Sequence, residues 1–187
     1  VFRRKSEGES LSTAVLILVD CSSSMDEPLR DGVTRIDASI GLAYGLGDVL
    51  DEHDVPFQVT CYSDCYADMK VFDQPWVQVR RGQTMPSICG STCTGLAMQK
   101  ALGELVVRHE ERKLVLVVTD GATSDQVILK SCYSEAMHHG IEVASIMIGP
   151  RIPSIEDLAR EFGFDATSAN TSAGLGKYAV QQVLAAI

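Results

Sequence analysis

Four short stretches of the chain carry predominantly apolar, strand-forming residues: Ala14 to Val19, Phe57 to Tyr62, Leu114 to Thr119 and Val143 to Ile148. Each is too short for a buried helix, which needs about 10 to 12 residues, and is followed by a loop and a helical pattern. Side chains alternate between the two faces of a strand, so a run that is apolar at nearly every position belongs to a sheet covered on both sides. Helical periodicity predicts segments at Ile36 to Glu52, Thr94 to His109, Ser124 to His139, Ile155 to Phe162 and Gly174 to Ala186. This alternation is the signature of a doubly wound, Rossmann-like α/β fold, with a mostly parallel central sheet flanked by helices.

The remaining segments are read against that frame. Asp68 to Val79, with Val71, Phe72, Trp76, Val77 and Val79, is expected to form a short strand or hairpin at one sheet edge, turning at Pro75. Thr34 or Asp37 can cap the first helix and Thr123 or Ser124 the third, which Gly140 ends after His138-His139. The paired histidines suit a helix C-terminus, where cations are favoured. Gly41, Gly45 and Gly47 fall inside the first helical pattern and imply close packing there. Ser168 to Gly176 is small and polar and reads as a loop before the last helix.

A length of 187 residues, 45% of them hydrophobic and 22% charged, suits one domain with a full core. The domain is expected over residues 13–187. Residues 1–12 are expected to be an extension from a longer chain, since the sequence opens on Val1 and a basic Arg3-Arg4-Lys5. With 16 basic against 25 acidic residues the net charge is −9, which repels a phosphate backbone and favours cations, so nucleic acid is not an expected partner. No apolar stretch approaches the ~20 residues that span a bilayer, and no membrane partner is expected.

Two of the strand runs end in the same way. Val15 to Val19 leads into Asp20-Cys21-Ser22-Ser23-Ser24, an Asp-x-Ser-x-Ser pattern, and Leu114 to Thr119 leads into Asp120-Gly121. Between them lies Gly90-Ser91-Thr92-Cys93-Thr94-Gly95, a loop of small residues ahead of a helix. In an open α/β sheet the loops at the carboxyl ends of the strands gather at one edge, so Asp20 and Asp120 should reach one crevice. If the first loop stays extended, Asp20, Ser22 and Ser24 face one centre while Cys21 and Ser23 face away. Two carboxylates with hydroxyls form a hard oxygen set suited to Mg²⁺, with Mn²⁺ or Ca²⁺ as the other candidates, and unsuited to soft metals. The plainer reading, in which Asp20 and the serines only cap a loop and helix, accounts for one loop and leaves the other two unexplained.

With these residues in place the chain resembles a von Willebrand factor type A (VWA) domain carrying a metal-ion-dependent adhesion site (MIDAS), over nearly all of its length. The resemblance implies that Ser22, Ser24 and Thr92 are direct or near-direct metal ligands, that Asp20 and Asp120 act largely through waters, and that an acidic residue of a partner protein completes the coordination. Arg3 to Asp20, Arg112-Lys113-Leu114 and Thr119-Asp120-Gly121 are more narrowly similar to the C-terminal domain of cobaltochelatase CobT-like proteins, including those of bacteriophages. That likeness implies an adaptor working beside an AAA+ ATPase ring of the MoxR or CobS type, in a chelatase-like or remodelling complex. The contrasting expectation within the family is an extracellular adhesion domain.

Catalysis finds little support. Ser22 and Ser24 lie in no Gly-x-Ser-x-Gly elbow and no late histidine follows a strand as general base. Gly174-Leu175-Gly176-Lys177 lacks the spacing of a P-loop. A magnesium-dependent phosphatase would want a second carboxylate where the serines stand, so the expectation is a non-enzymatic binding domain. Six cysteines, at 21, 61, 65, 89, 93 and 132, lie mostly in or beside apolar strand patterns, where a reduced thiol packs as a small hydrophobe, and a cytoplasmic location is expected. The equal spacing of Cys61/Cys65 and Cys89/Cys93 also allows a zinc site or a disulfide, although no Cys-x-x-Cys or histidine spacing backs it.

Overall fold

The structure is a computed structural model that describes residues 12–82, 86–88, 90–150 and 153–186. Six strands form one sheet: β1 (Thr13–Asp20), β2 (Phe57–Tyr62), β3 (Tyr66–Lys70), β4 (Arg112–Thr119), β5 (Glu142–Ile148) and β6 (Asp165–Ala169). Their order is β3-β2-β1-β4-β5-β6, and every pairing is parallel except β2 with β3. Six helices cover the sheet: α1 (Arg35–Glu52), α2 (Trp76–Gly82), α3 (Thr94–Val106), α4 (Gln126–His138), α5 (Pro153–Glu161) and α6 (Ser172–Ala186). The doubly wound architecture expected from the sequence is the one found.

The central strand shows why its sequence is apolar throughout. Val15, Ile17 and Val19 pack into one core with Ile36, Leu46 and Leu50 of α1 and Val183 of α6. The alternate residues Ala14, Leu16 and Leu18 pack into a second core with Met98 and Leu102 of α3 and Tyr133 of α4. Every residue of β1 is buried. A strand with two dry faces has no solvent side to mark with polar residues.

The chain winds from β1 through α1 to β2 on one side, then returns through α3 to β4 on the other side of β1. The reversal of strand order therefore falls between β1 and β4, and the crevice it opens lies at their carboxyl ends. Asp20 is the last residue of β1 and Asp120 directly follows β4.

Two local expectations are revised, and a choice between two cap residues is decided. Trp76 to Val79 belongs to α2, while the edge strand lies earlier, at β3. Trp76 turns its ring onto α1 and α2 follows it, because the indole packs against Tyr44 and Phe57 and its Nε1–H donates to Asp48 at 2.8 Å. Ser168 and Ala169 belong to a sixth strand, and α6 starts already at Ser172. Of the two residues offered as caps of α1, Thr34 is the cap, its hydroxyl accepting from the Asp37 N–H at 3.2 Å.

The three glycines of α1 differ in what they permit. A Cβ on Gly47 would sit 2.5 Å from the Trp76 ring, whereas Gly41 and Gly45 have no heavy atom within 4 Å of that position and border an open cleft of about 520 Å³ against α6. Only Gly47 is there for close packing. Gly47→Ala should therefore lower the urea midpoint by an amount equivalent to roughly 1–3 kcal/mol, the usual cost of overpacking. Gly45→Ala should raise it, since Ala is favoured over Gly by about 1 kcal/mol in a helix. Equilibrium unfolding with an unchanged m-value checks both.

Candidate functional site

Three loops meet at the crevice. The first follows β1 and continues as a short 3₁₀ turn at Ser23–Asp26. Its Ser22 N–H donates to Asp20 Oδ1 at 2.8 Å, which folds the loop back over the carboxylate. The Ser22 and Ser24 hydroxyls lie 3.2 Å apart. Ser23 points elsewhere, with its N–H and its hydroxyl both donating to the Gly90 carbonyl, at 3.3 and 3.2 Å. The alternation expected of Asp-x-Ser-x-Ser is thus present, in a turn instead of an extended strand. These two bonds from Ser23 tie the first loop to the second.

The second loop is tied in turn to the third. The Thr92 carbonyl accepts from the Ser124 N–H at 2.9 Å and from the Ser124 hydroxyl at 2.8 Å. Asp125 does more: its carboxylate accepts from the Gly95 and Leu96 N–H groups, each at 2.9 Å, and from the Thr123 hydroxyl at 2.7 Å. It therefore caps α3 from another part of the chain, satisfying donors that the helix start leaves free, while the residue at the cap position, Cys93, makes no such bond.

The first and third loops are joined through the carboxylates. The Thr119 hydroxyl donates to Asp20 Oδ2 at 2.7 Å, and the Asp120 Oδ1 accepts from the Ala122 N–H at 3.1 Å. Asp20, Ser22 and Asp120 are almost wholly buried and Thr92 nearly so, with Ser24 half-buried. Burial holds the Asp20 carboxyl above the usual carboxylate range; bonds from Ser22 and Thr119 oppose this, and the neighbouring Asp120 charge adds to it. Below them the Tyr62 phenol, bonded to the Thr94 hydroxyl at 3.2 Å, is pushed well above its ordinary pKa by burial and then by Asp20, so it stays neutral.

Among the described residues one cation touches this group. Arg35, the first residue of α1, is 5% exposed and places Nη1 at 3.3 Å from Asp120 Oδ2 and at 3.2 Å from the Ser24 carbonyl. Its Nη2 donates to Glu27 at 2.5 Å. One guanidinium among the described residues stands against the two buried carboxylates Asp20 and Asp120, which leaves negative charge in the crevice beside the hydroxyls of Ser22, Ser24 and Thr119. Oxygens of this kind suit a hard divalent cation. Among the described residues no three His, Cys, Asp or Glu side chains gather as a metal site, so the two carboxylates would need further oxygen donors, which the nearby hydroxyls offer. The described cysteines are free thiols, and Cys89 lies outside the described residues.

No protein-family model matches the sequence, and no curated protein matches it either. Solved structures do. The VWA domain of SpRpn10 aligns with a TM-score of 0.73 at 15% identity, over 92% of this chain and 95% of that one. The fold is that of a von Willebrand factor type A domain. Proximal thread matrix protein 1 of the mussel byssus, solved with a zinc-occupied MIDAS motif, aligns at 0.70 and 19% identity, over 93% of this chain and 46% of that one. The pilus adhesin SpaC of Lactobacillus rhamnosus GG aligns at 0.77 and 13% identity, over 95% of this chain and 30% of that one.

Within this VWA fold, the structure places Arg35, Thr119 and Asp125 beside the loops that carry the five residues expected from the sequence. Thr119 was within reach, as the hydroxyl that precedes Asp120. Asp125 and Arg35 carry no signal at sequence level, because each acts on a segment about 30 or 85 residues away. Removing the Asp125 carboxylate strands two helix N–H donors and unfastens two loops. Asp125→Ala should cost about 1–3 kcal/mol in chemical denaturation, with Asp125→Asn, which keeps one acceptor oxygen, falling in between.

Proposed function

We propose that the chain is a non-enzymatic, metal-dependent protein-binding domain. In this reading Asp20, Ser22, Ser24, Thr92 and Asp120 hold a divalent cation, Mg²⁺ first and Mn²⁺ or Ca²⁺ by the same donors, and a partner's Asp or Glu side chain completes its coordination. The observation that carries the proposal is the meeting of two buried carboxylates at the β1/β4 reversal, with the hydroxyls of the first loop packed over one of them. Buried carboxylates without a full complement of cations are costly, and a bound cation relieves that cost. Support also comes from the mussel protein, whose similar fold carries a zinc-occupied MIDAS motif. Hydroxyl donors keep the ion's positive charge incompletely cancelled, and this is what makes it attractive to an incoming carboxylate.

The cation should stabilise the fold by mass action. At about 100 times its dissociation constant, Mg²⁺ is expected to add about 2.7 kcal/mol, read as a rise in melting temperature. Asp20→Asn and Thr92→Ala should reduce or abolish that rise while the metal-free protein still folds. A melting temperature of the unsubstituted chain that ignores Mg²⁺, Mn²⁺ and Ca²⁺ alike would refute the metal centre.

The narrower proposal is that the partner is an AAA+ ATPase ring or its client in a reducing compartment, on the strength of the CobT-like sequence features. The free thiols among the described residues agree with that setting: burial raises the Cys132 thiol to about 11, and the hydrogen bond with Cys21 and then burial push Cys61 above its ordinary range. The likeness to a pilus adhesin favours a second reading, extracellular adhesion. Thiol titration of denatured protein purified without reductant separates the two. All six cysteines should react; a persistent disulfide would favour adhesion.

A further inference from the structure

The guanidinium of Arg35 occupies the neighbourhood in which a cation would be bound. It is held there from several sides: by Asp120 and the Ser24 carbonyl through Nη1, by Glu27 through Nη2, and by the backbone of Gly149 beneath. A Cβ on Gly149 would come within 2.8 Å of the Arg35 Nε, and the glycine's φ of +96° is one that other residues avoid. The side chain is 6% exposed, and its Nε is buried with no hydrogen-bond partner among the described residues. Placing an arginine here is thus unfavourable for Nε and requires a glycine in a special conformation. Asp120 Oδ1 has an N–H donor of its own, from Ala122, and the guanidinium serves Oδ2.

Charge gives the placement a consequence. Asp20 and Asp120 with Arg35 carry one net negative charge, because Glu27, 63% exposed, is largely screened by solvent. Without Arg35, a divalent cation would bring the buried set to neutrality. With Arg35, it takes the set to one net positive charge, which burial disfavours until an anion arrives.

We propose that Arg35 is a built-in counter-charge that weakens cation binding by the free domain and makes it conditional on a carboxylate, so that cation and acidic partner bind cooperatively. The inference rests on the metal-centre reading given above. Linkage makes the coupling reciprocal: whatever factor a carboxylate adds to cation affinity, the cation adds to carboxylate affinity. A partner without an acidic group at the right place would then find neither the ion nor the site.

The test is calorimetric titration of Mg²⁺ into the 187-residue chain, in chloride and in acetate at equal ionic strength, for the unsubstituted protein, Arg35→Met and Arg35→Lys. The expected results are about tenfold tighter Mg²⁺ binding by Arg35→Met in chloride, a severalfold gain in acetate for the unsubstituted protein that Arg35→Met loses, and near-native behaviour of Arg35→Lys. A purely structural role predicts the opposite sign, since a loosened loop would bind Mg²⁺ more weakly. Arg35→Met binding no tighter than the unsubstituted protein, or acetate leaving the unsubstituted protein unmoved, overturns the proposal while the metal centre stands. Absence of Mg²⁺ binding in every variant overturns both. Should Arg35→Met fail to fold, Arg35→Gln, which keeps hydrogen-bond donors without the charge, decides: it should bind Mg²⁺ severalfold tighter in chloride, and an unchanged or weaker affinity overturns the proposal.

Discussion

The 2.7 Å bond from the Thr119 hydroxyl to the Asp20 carboxylate crosses from β4 to β1 at the point where strand order reverses. It joins the ends of two strands that are 99 residues apart in sequence. Register carries it there: Val19 pairs with Val118, so the next residue of each strand, Asp20 and Thr119, lie side by side as the sheet ends. Asp120 then follows one residue on, within electrostatic reach of Asp20. A slip of one residue between β1 and β4 would turn these side chains to the opposite face, and the apolar packing on both faces is what prevents it. The core is therefore the instrument that aligns the crevice.

Alignment of the two carboxylates has an energetic penalty, and the surrounding loops are arranged to lessen it. Asp20 takes donors from Ser22 and Thr119, Asp120 from Ala122 and Arg35. Buried acids are tolerated when their oxygens are hydrogen-bonded and their charge is offset. The hydroxyl bond to Asp20 supplies no charge, so its pKa still rises. The same structural economy appears at Thr92, whose carbonyl is fastened to Ser124 and whose loop is anchored by Asp125 at the start of α3. Stability is spent to hold charged and polar groups out of water, a pattern expected at binding sites and not in inert cores.

How much of this was legible in the sequence follows from which forces leave a local trace. Four of the six strands are dry on both faces and were read directly. β3 and β6 were not, since Tyr66–Lys70 and Asp165–Ala169 are edge strands of five residues, largely exposed or half-buried, with no apolar run to betray them. Trp76 and Val79 misled for the converse reason: their apolar side chains do enter the core, but from a short helix, and a short apolar segment does not reveal its period. At the crevice, residues next to strand ends could be named because chain direction delivers them there. Arg35 could not, because an arginine at a helix start normally reads as a solvated surface group; only the tertiary structure shows it turned inward onto Asp120.

The inward turn of Arg35 also links the first loop to the first helix. Its Nη1 bridges the Ser24 carbonyl of the loop and the Asp120 carboxylate beyond β4, and its backbone carbonyl accepts the Ser39 hydroxyl at 2.8 Å one turn further along α1. A change in charge at the crevice thus acts directly on the amino end of α1. The helix is anchored at its other face by the Trp76 indole against Gly47, while its middle, at Gly41 and Gly45, borders open space beside α6. Between these two contacts Ile40, Ala43 and Leu46 of α1 are buried in the same core as β1, so the open space lies on one side of the helix and the crevice end is fixed to a packed element.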